Sequence, residues 1–223
     1  MLTGKEAARL IDVSAVRTHS SLADIEEVVG CAKEYRFINV HVLPNWVSTL
    51  AGMLRDVEGV YVGSPVGFPS GAHATEIKVQ EARQLIADGV QEMDIVMNVG
   101  RLRSGQYDYV LEDLKRVIGV ADGRVMTKVI IEINCLTEDE MCRACELVIR
   151  SGADFVKSGT GWVPGDANLE RIRKMKSVCG GDIKIKAAGG IRTMEEFLAL
   201  HDMGVERMGI NTRSALEIVR ALG

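Results

Sequence analysis

Between positions 91 and 188, four consecutive apolar runs alternate so that their charges collect on one face. In Gln91–Asn98, Met93, Ile95 and Met97 share one side and Glu92, Asp94, Val96 and Asn98 the other. In Thr127–Asn134, Val129, Ile131 and Ile133 oppose Lys128, Ile130, Glu132 and Asn134. Phe155 and Lys157 share a side of Asp154–Ser158, and Ile183, Ile185 and Ala187 oppose Lys184 and Lys186. Successive side chains of a strand point to opposite faces, so each run has an apolar and a charged side. The apolar side must meet covering helices, and the charged side is then expected to turn inward. That brings Asp94, Glu132, Lys157 and Lys186 into one interior, where charge is costly unless paired or wet. One lysine with one carboxylate there reads as a structural ion pair. Two of each, converging from neighbouring strands, read as a reaction centre.

The chemistry such a centre supports is covalent catalysis by an amine. A lysine attacks a carbonyl only as the neutral amine, and a free lysine titrates near about 10.4. A second cation close by disfavours protonation and frees the nucleophile. Attack yields a carbinolamine and then a protonated imine, an electron sink that lets a carbon–carbon bond break or form through an enamine. A carboxylate with a water can move the protons. This route needs no metal and no cofactor. His19, His41, His73 and His201 lie in four separate segments without metal-site spacing. Cys142 and Cys145 form one C-x-x-C inside a helical pattern with no second pair, which reads as plain thiols.

The elements that must position these residues alternate along the chain. Strands are expected at Ala8–Ser14, Ile38–Leu43, Val60–Val66, Gln91–Asn98, Thr127–Ile133, Asp154–Ser158, Ile183–Ala188 and Arg207–Asn211. Helices are expected near Leu22–Tyr35, Asn45–Leu54, Thr75–Asp88, Gln106–Val120, Glu138–Arg150, Asn168–Val178, Met194–Met203 and Ser214–Ala221. Thr137 with Glu140, and Thr193 with Glu196, have capping-box spacing. Gly30, Gly89, Gly152 and Gly204 are expected near helix ends. Eight strands alternating with eight helices imply an α/β fold, a closed parallel (β/α)8 TIM barrel, as one domain over 1–223. The competing open doubly wound sheet tends to carry a Gly-rich loop after its first strand. Here that segment reads Asp12-Val13-Ser14-Ala15-Val16-Arg17. In a barrel the strand C-termini form the working mouth, and Lys157 and Lys186 are both late in their runs.

Composition narrows the partners. The 223 residues are 47% hydrophobic and 26% charged with net charge −4, which suits a packed core and excludes a polyanion-binding stripe, so no nucleic acid is expected. Apolar runs such as Val129-Ile130-Ile131 are too short to cross a membrane, and the first residues lack the apolar stretch of a secretion signal. Five scattered cysteines argue for a reducing compartment, hence the cytoplasm.

Five ordered segments resemble those of the deoxyribose-phosphate aldolases. Asp154-Phe155-Val156-Lys157-Ser158-Gly159-Thr160-Gly161 is similar to their Schiff-base segment, and Lys184-Ile185-Lys186-Ala187-Ala188-Gly189-Gly190-Ile191-Arg192-Thr193 to their second-lysine segment. Glu92 to Asn98 resembles the strand of their acid/base aspartate, and Val66-Gly67-Phe68-Pro69-Ser70-Gly71-Ala72 their V-G-F-P-x-G-A turn. Ile131-Glu132 with Leu136-Thr137 resembles a further family strand, and the likeness runs from about Leu10 to Ile218.

The resemblance implies a class I aldolase on a (β/α)8 barrel, cleaving 2-deoxy-D-ribose 5-phosphate reversibly to acetaldehyde and D-glyceraldehyde 3-phosphate. Lys157 is then the Schiff-base residue, Lys186 the group that depresses its pKa, and Asp94 the anchor of a proton-relay water. Asp12 matches a family aspartate, and Ser14 stands where a threonine is usual. Phosphate is expected at the last strands, near Thr160, Gly161, Gly189, Gly190, Asn211, Thr212 and Arg213, with Thr193 starting the next helix.

The chain departs from the family pattern in several places. It reads Lys157-Ser158-Gly159-Thr160-Gly161 for K-T-S-T-G, and Gly209-Ile210-Asn211-Thr212-Arg213 for G-x-S-S. His41 replaces a usual Cys, His73 a usual Thr, and Lys184 a usual Gly. His41 and His73 are expected to be polar lining. Arg213 is either an anion fork or a solvated residue. Trp162 either covers the mouth or packs on a loop. Two other readings stand beside the first: a related Schiff-base aldolase with a different or unphosphorylated acceptor, and a non-catalytic barrel that binds sugar phosphates. A homo-oligomer is compatible with the outer apolar surface.

Overall fold

In the computed structural model, which describes residues 2–165 and 168–223, eight parallel strands close into a barrel in the order of the sequence. The strands are β1 (Ile11–Ala15), β2 (Asn39–Val42), β3 (Tyr61–Val66), β4 (Glu92–Val96), β5 (Met126–Ile130), β6 (Phe155–Lys157), β7 (Lys184–Ala188) and β8 (Arg207–Asn211). The helices are α1 (Gly4–Ala8), α2 (Leu22–Tyr35), α3 (Val47–Leu54), α4 (Thr75–Ala87), α5 (Val99–Arg103), α6 (Tyr107–Ala121), α7 (Glu138–Ser151), α8 (Leu169–Cys179), α9 (Met194–Asp202) and α10 (Thr212–Ala221). The seam between β8 and β1 closes with Asp12 opposite Gly209 and Ser14 opposite Asn211. The expected (β/α)8 barrel is the observed one.

The alternation in the strands divides the core. Val13, Val40, Met93, Ile95, Val129, Val156, Ile185 and Met208 are fully buried among the helix faces. Asp12, Asn39, His41, Glu92, Asp94, Lys128, Lys157, Lys186 and Arg207 are buried on the other side. The helix layer holds its own buried charge. Lys78 of α4 bonds Asp113 Oδ2 of α6 at 2.8 Å and the Val96 carbonyl at the end of β4 at 2.9 Å. Thr75 Oγ1 donates to the other Asp113 oxygen at 2.7 Å.

Several boundaries differ from expectation for local reasons. The first strand does not begin at Ala8, because the Thr3/Glu6 capping box starts α1 at Gly4 and Ala8 is its last residue. Asn98 leaves β4 to cap α5, its Oδ1 accepting from Arg101 N–H at 3.1 Å. The third helix begins only at Val47, after a 3-10 turn at Pro44–Trp46. Gly30 lies inside α2, and Arg36 takes the left-handed position at its end. Gly89, Gly152 and Gly204 do have positive φ at helix ends. The boxes Thr137/Glu140 and Thr193/Glu196 are both formed. All five cysteines are free thiols.

The most consequential difference is β5, which ends at Ile130. Glu132 follows at φ 53, so the chain has already turned out of the strand. Its carboxylate does not share the interior with Asp94. It accepts from Thr160 N–H at 3.2 Å and from the Thr160 hydroxyl, and so braces the loop after β6.

Candidate active site

Asp94 is the centre of the barrel interior. Its Oδ2 accepts from Lys157 Nζ at 2.8 Å and from Lys186 Nζ at 2.6 Å. The register explains the convergence, because Lys157 and Lys186 are partners across β6 and β7 and point the same way. Ser158, the residue after Lys157, locks the two strand ends: its hydroxyl donates to the Ala188 carbonyl and accepts from the Ala188 N–H, each at 2.9 Å. Lys186 also touches Asp12 Oδ2 at 2.5 Å. Asp94 Oδ1 has His41 Nε2 at 3.1 Å and Lys128 Nζ at 3.3 Å, though neither is aligned as a hydrogen bond. His41 has room only because residue 63 is glycine; a Cβ there would collide with the imidazole.

Beneath this centre lies a second layer in which Glu92, Lys128, Asn39 and Arg207 had no assigned role in the sequence. Glu92 Oε2 accepts from Lys128 at 2.5 Å, Arg207 at 2.8 Å and Asn39 Nδ2 at 2.9 Å. Arg207 Nε donates to Asp12 Oδ1 at 2.7 Å, and Asn39 Oδ1 meets His41 Nδ1. Glu92 and Lys128 were already on the Asp94 side of their runs. Arg207 was open to the same logic, since Met208 and Ile210 alternate with it in the last strand.

The network controls protonation. Burial opposes ionisation of Asp94, but His41, Lys157, Lys186 and Lys128 outweigh it and hold the carboxyl well below the usual carboxylate range. Burial likewise opposes ionisation of Asp12, and Lys186 and Arg207 reverse it, so Asp12 too is held low. Burial weakens the Arg207 cation, and Asp12 with Glu92 more than restore it. His41 goes the other way: burial pushes it down to about 4 against the pull of Asp94, so the ring is neutral near pH 7.

The centre opens into a cavity of about 600 Å³ at the C-terminal ends of the strands. Asp12, Ser14, His41, Asp94, Lys157, Thr160, Gly161, Lys186, Gly189, Gly190 and Asn211 all line it. Gly161 and Gly189 lie against one another at the rim, both at positive φ, a backbone conformation that side chains rarely adopt.

Not every expected residue arrives. Thr212 and Arg213 are outside the lining. Arg213 is the second residue of α10, has a side chain 89% exposed, and pairs with Glu217 at 3.1 Å. Asn211 stays at the rim while capping α10 through Ser214 N–H at 3.0 Å. His73 is exposed on the loop after β3 and is not part of the mouth lining, in contrast to the expectation. Lys184 is exposed at the first residue of β7, the opposite end of the strand from the mouth. Trp162 does line the mouth, edge-on to Phe68 with ring centroids 5.4 Å apart. Arg17, Phe68 and Arg192 are lining residues the sequence reading did not single out. Among the described residues no group of three or more His, Cys, Asp or Glu is arranged to hold a metal ion, and no helix is long and apolar enough to cross a membrane.

The family model described as DeoC/LacD family aldolase matches residues 14–210. A deoxyribose-phosphate aldolase of Klebsiella pneumoniae is 44% identical over 217 residues, which are 96% of this chain and 87% of that protein. The solved structure of an aldolase called QR15 superposes with a TM-score of 0.90 at 36% identity, covering 96% of each chain. A tetrameric deoxyribose phosphate aldolase from Aeropyrum pernix shares the fold, with a TM-score of 0.90 at 23% identity over 99% of this chain and 92% of that one.

Proposed function

Because the chain belongs to the DeoC/LacD family of aldolases, and is therefore a lyase, we propose that it cleaves 2-deoxy-D-ribose 5-phosphate reversibly into acetaldehyde and D-glyceraldehyde 3-phosphate, through an imine on Lys157. The observation that carries this reading is a charge mismatch. Three carboxylates, Asp12, Glu92 and Asp94, face four basic side chains, Lys128, Lys157, Lys186 and Arg207, in one buried network. With His41 neutral, the basic side chains outnumber the carboxylates by one. Lys186 touches two carboxylates, and so does Lys128. Among the described residues Lys157 touches Asp94 alone and, 8% exposed against 1% for Lys186 and 0% for Lys128, is the amine that a substrate in the cavity can reach.

In the proposed reaction Lys157 Nζ attacks C1 of the open-chain sugar. The carbinolamine loses water to give the protonated imine. The C3 hydroxyl gives up its proton, the C2–C3 bond breaks, and its electron pair enters the iminium as an enamine while D-glyceraldehyde 3-phosphate leaves. Protonation at C2 and addition of water release acetaldehyde and restore the amine. Asp94 Oδ1, which has no aligned donor, can hold the water that carries these protons. Lys186, bound to the same oxygen of Asp94 as Lys157, sets a second basic group beside the nucleophile.

The proposal includes a single catalytic domain over 1–223, acting in the cytoplasm on small aldehydes and sugar phosphates without a cofactor. Borohydride with acetaldehyde is expected to trap an adduct that peptide mapping places on Lys157. An adduct elsewhere, or none, overturns the mechanism. Such trapping also discards the non-catalytic barrel. The exposed position of Arg213 favours keeping one second reading, an aldolase with an unphosphorylated acceptor. Cleavage of 2-deoxyribose compared with its 5-phosphate decides between the two.

A further inference from the structure

Arg17 lies on the loop after β1, exposed at its outer side and lining the mouth cavity. The pairing of Ser14 with Asn211 sets this loop directly beside the end of β8. On the far side, Trp162 reaches over from the loop after β6. Its Nε1–H donates to the Val16 carbonyl at 3.1 Å, one residue before Arg17, and the Arg17 guanidinium sits 6.0 Å from the centroid of its ring. Gly161, Gly189, Gly190 and Asn211 line the same cavity as Arg17 and Trp162.

The cations of this cavity are otherwise committed. Lys157 bonds Asp94, Lys186 bonds Asp94 and is ion-paired with Asp12, and Arg192 makes an interaction of its own. Among the described residues no carboxylate pairs with Arg17. A planar guanidinium held against an indole face keeps its N–H fork free for an oxyanion, and the stacking limits the freedom it would lose on binding.

Resting on the aldolase reading above, we propose that Arg17 is the side chain that recognises the phosphate of the sugar, and that Trp162 positions it. With C1 of the substrate at Lys157 on the cavity floor, the C5 phosphate lies toward the rim. Gly189 and Gly190 offer only backbone N–H groups there, and Arg17 supplies the full positive charge from the β1 side. In a chain of net charge −4 a local cation matters more, because the overall field does not draw an anion in.

The test separates this inference from the aldolase reading. In wild type and Arg17→Leu, kcat/KM is measured for 2-deoxyribose 5-phosphate and for 2-deoxyribose. The ratio of the two is expected to fall about tenfold in the variant, chiefly through KM, as for one lost charge-assisted contact. Arg17→Lys should recover part of the ratio, and Trp162→Ala should lower it about threefold. A ratio unchanged in Arg17→Leu overturns the proposal. Calorimetric titration of 2-deoxyribose 5-phosphate into Lys157→Ala, with and without Arg17→Leu, reads recognition without turnover. About tenfold weaker binding supports Arg17 even if the wild type cleaves neither sugar, an outcome that sinks the aldolase reading alone. Equal binding overturns Arg17 whatever the turnover.

Discussion

Buried charge occurs on both sides of β4, and the two groups are built differently. Outside the barrel, Lys78 and Asp113 are one cation and one anion. Lys78 adds the Val96 carbonyl, and Thr75 takes the second Asp113 oxygen. Both side chains are sealed from solvent. Inside, Asp94 belongs to a network whose cations and anions do not match in number. Asp12 Oδ2, His41 Nε2, Glu92 Oε1 and Asp94 Oδ1 lack aligned partners, and Asp94 with Lys157 lines an open cavity. A balanced, sealed pair holds two helices to the end of a strand. An unbalanced, open network leaves polar atoms without partners and gives a substrate access to them.

Substitutions on the two sides should therefore fail in different ways. Lys157→Ala is expected to lower acetaldehyde release by at least about 10⁴-fold while the thermal transition stays near that of the wild type. A protein that unfolds instead would make Lys157 a structural residue and erase the contrast. Lys78→Met leaves Asp113 buried and unpaired, at a cost of about 3–5 kcal/mol in urea titrations. Activity per folded molecule should persist, and Lys78→Met combined with Asp113→Leu should regain most of the loss. Lys186→Leu removes the cation beside the nucleophile; turnover at pH 7 is expected to drop about 10²-fold and the pH–rate profile to move to higher pH.

His41 gives a subtler signature. Its folded pKa, about 4, lies below its ordinary 6.5, so the unfolded chain binds a proton that the folded chain refuses. Stability should then rise with pH between those values, by up to about 1.4 kcal/mol per unit, and His41→Asn should flatten that slope. The depressed Asp94 and Asp12 act in a lower window: their contribution is present above the ordinary carboxylate range and is lost as pH falls below it. The smallest effect belongs to Arg213→Ala, expected to change kcat/KM for the sugar phosphate by less than about twofold, because its exposed guanidinium pairs with Glu217 on its own helix.

The periodicity of the chain was enough to reach the closed barrel and the inward turn of Asp94, Lys157 and Lys186. A buried parallel strand has little freedom once its apolar face is committed to helices, so side-chain alternation alone predicts which residues point inward. Alternation did not predict where a strand stops. Glu132 matched the inward pattern and was lost to it, because the backbone turned at φ 53 two residues beyond Ile130. His73 and Arg213 were plausible rim residues by position and lie in solvent, since nothing in a loop's composition says which way it faces.

What the order of residues settled by itself was the fold and the two lysines with their aspartate, because periodic burial is a local property repeated eight times around a barrel. What only the folded chain decided was how those charges are shared. That Asp94 Oδ2 serves both lysines, that Arg207 ties Asp12 to Glu92, and that Trp162 crosses to Arg17 depend on strand register and loop path. Those contacts join residues 63 to 195 positions apart, across distances that no local pattern encodes.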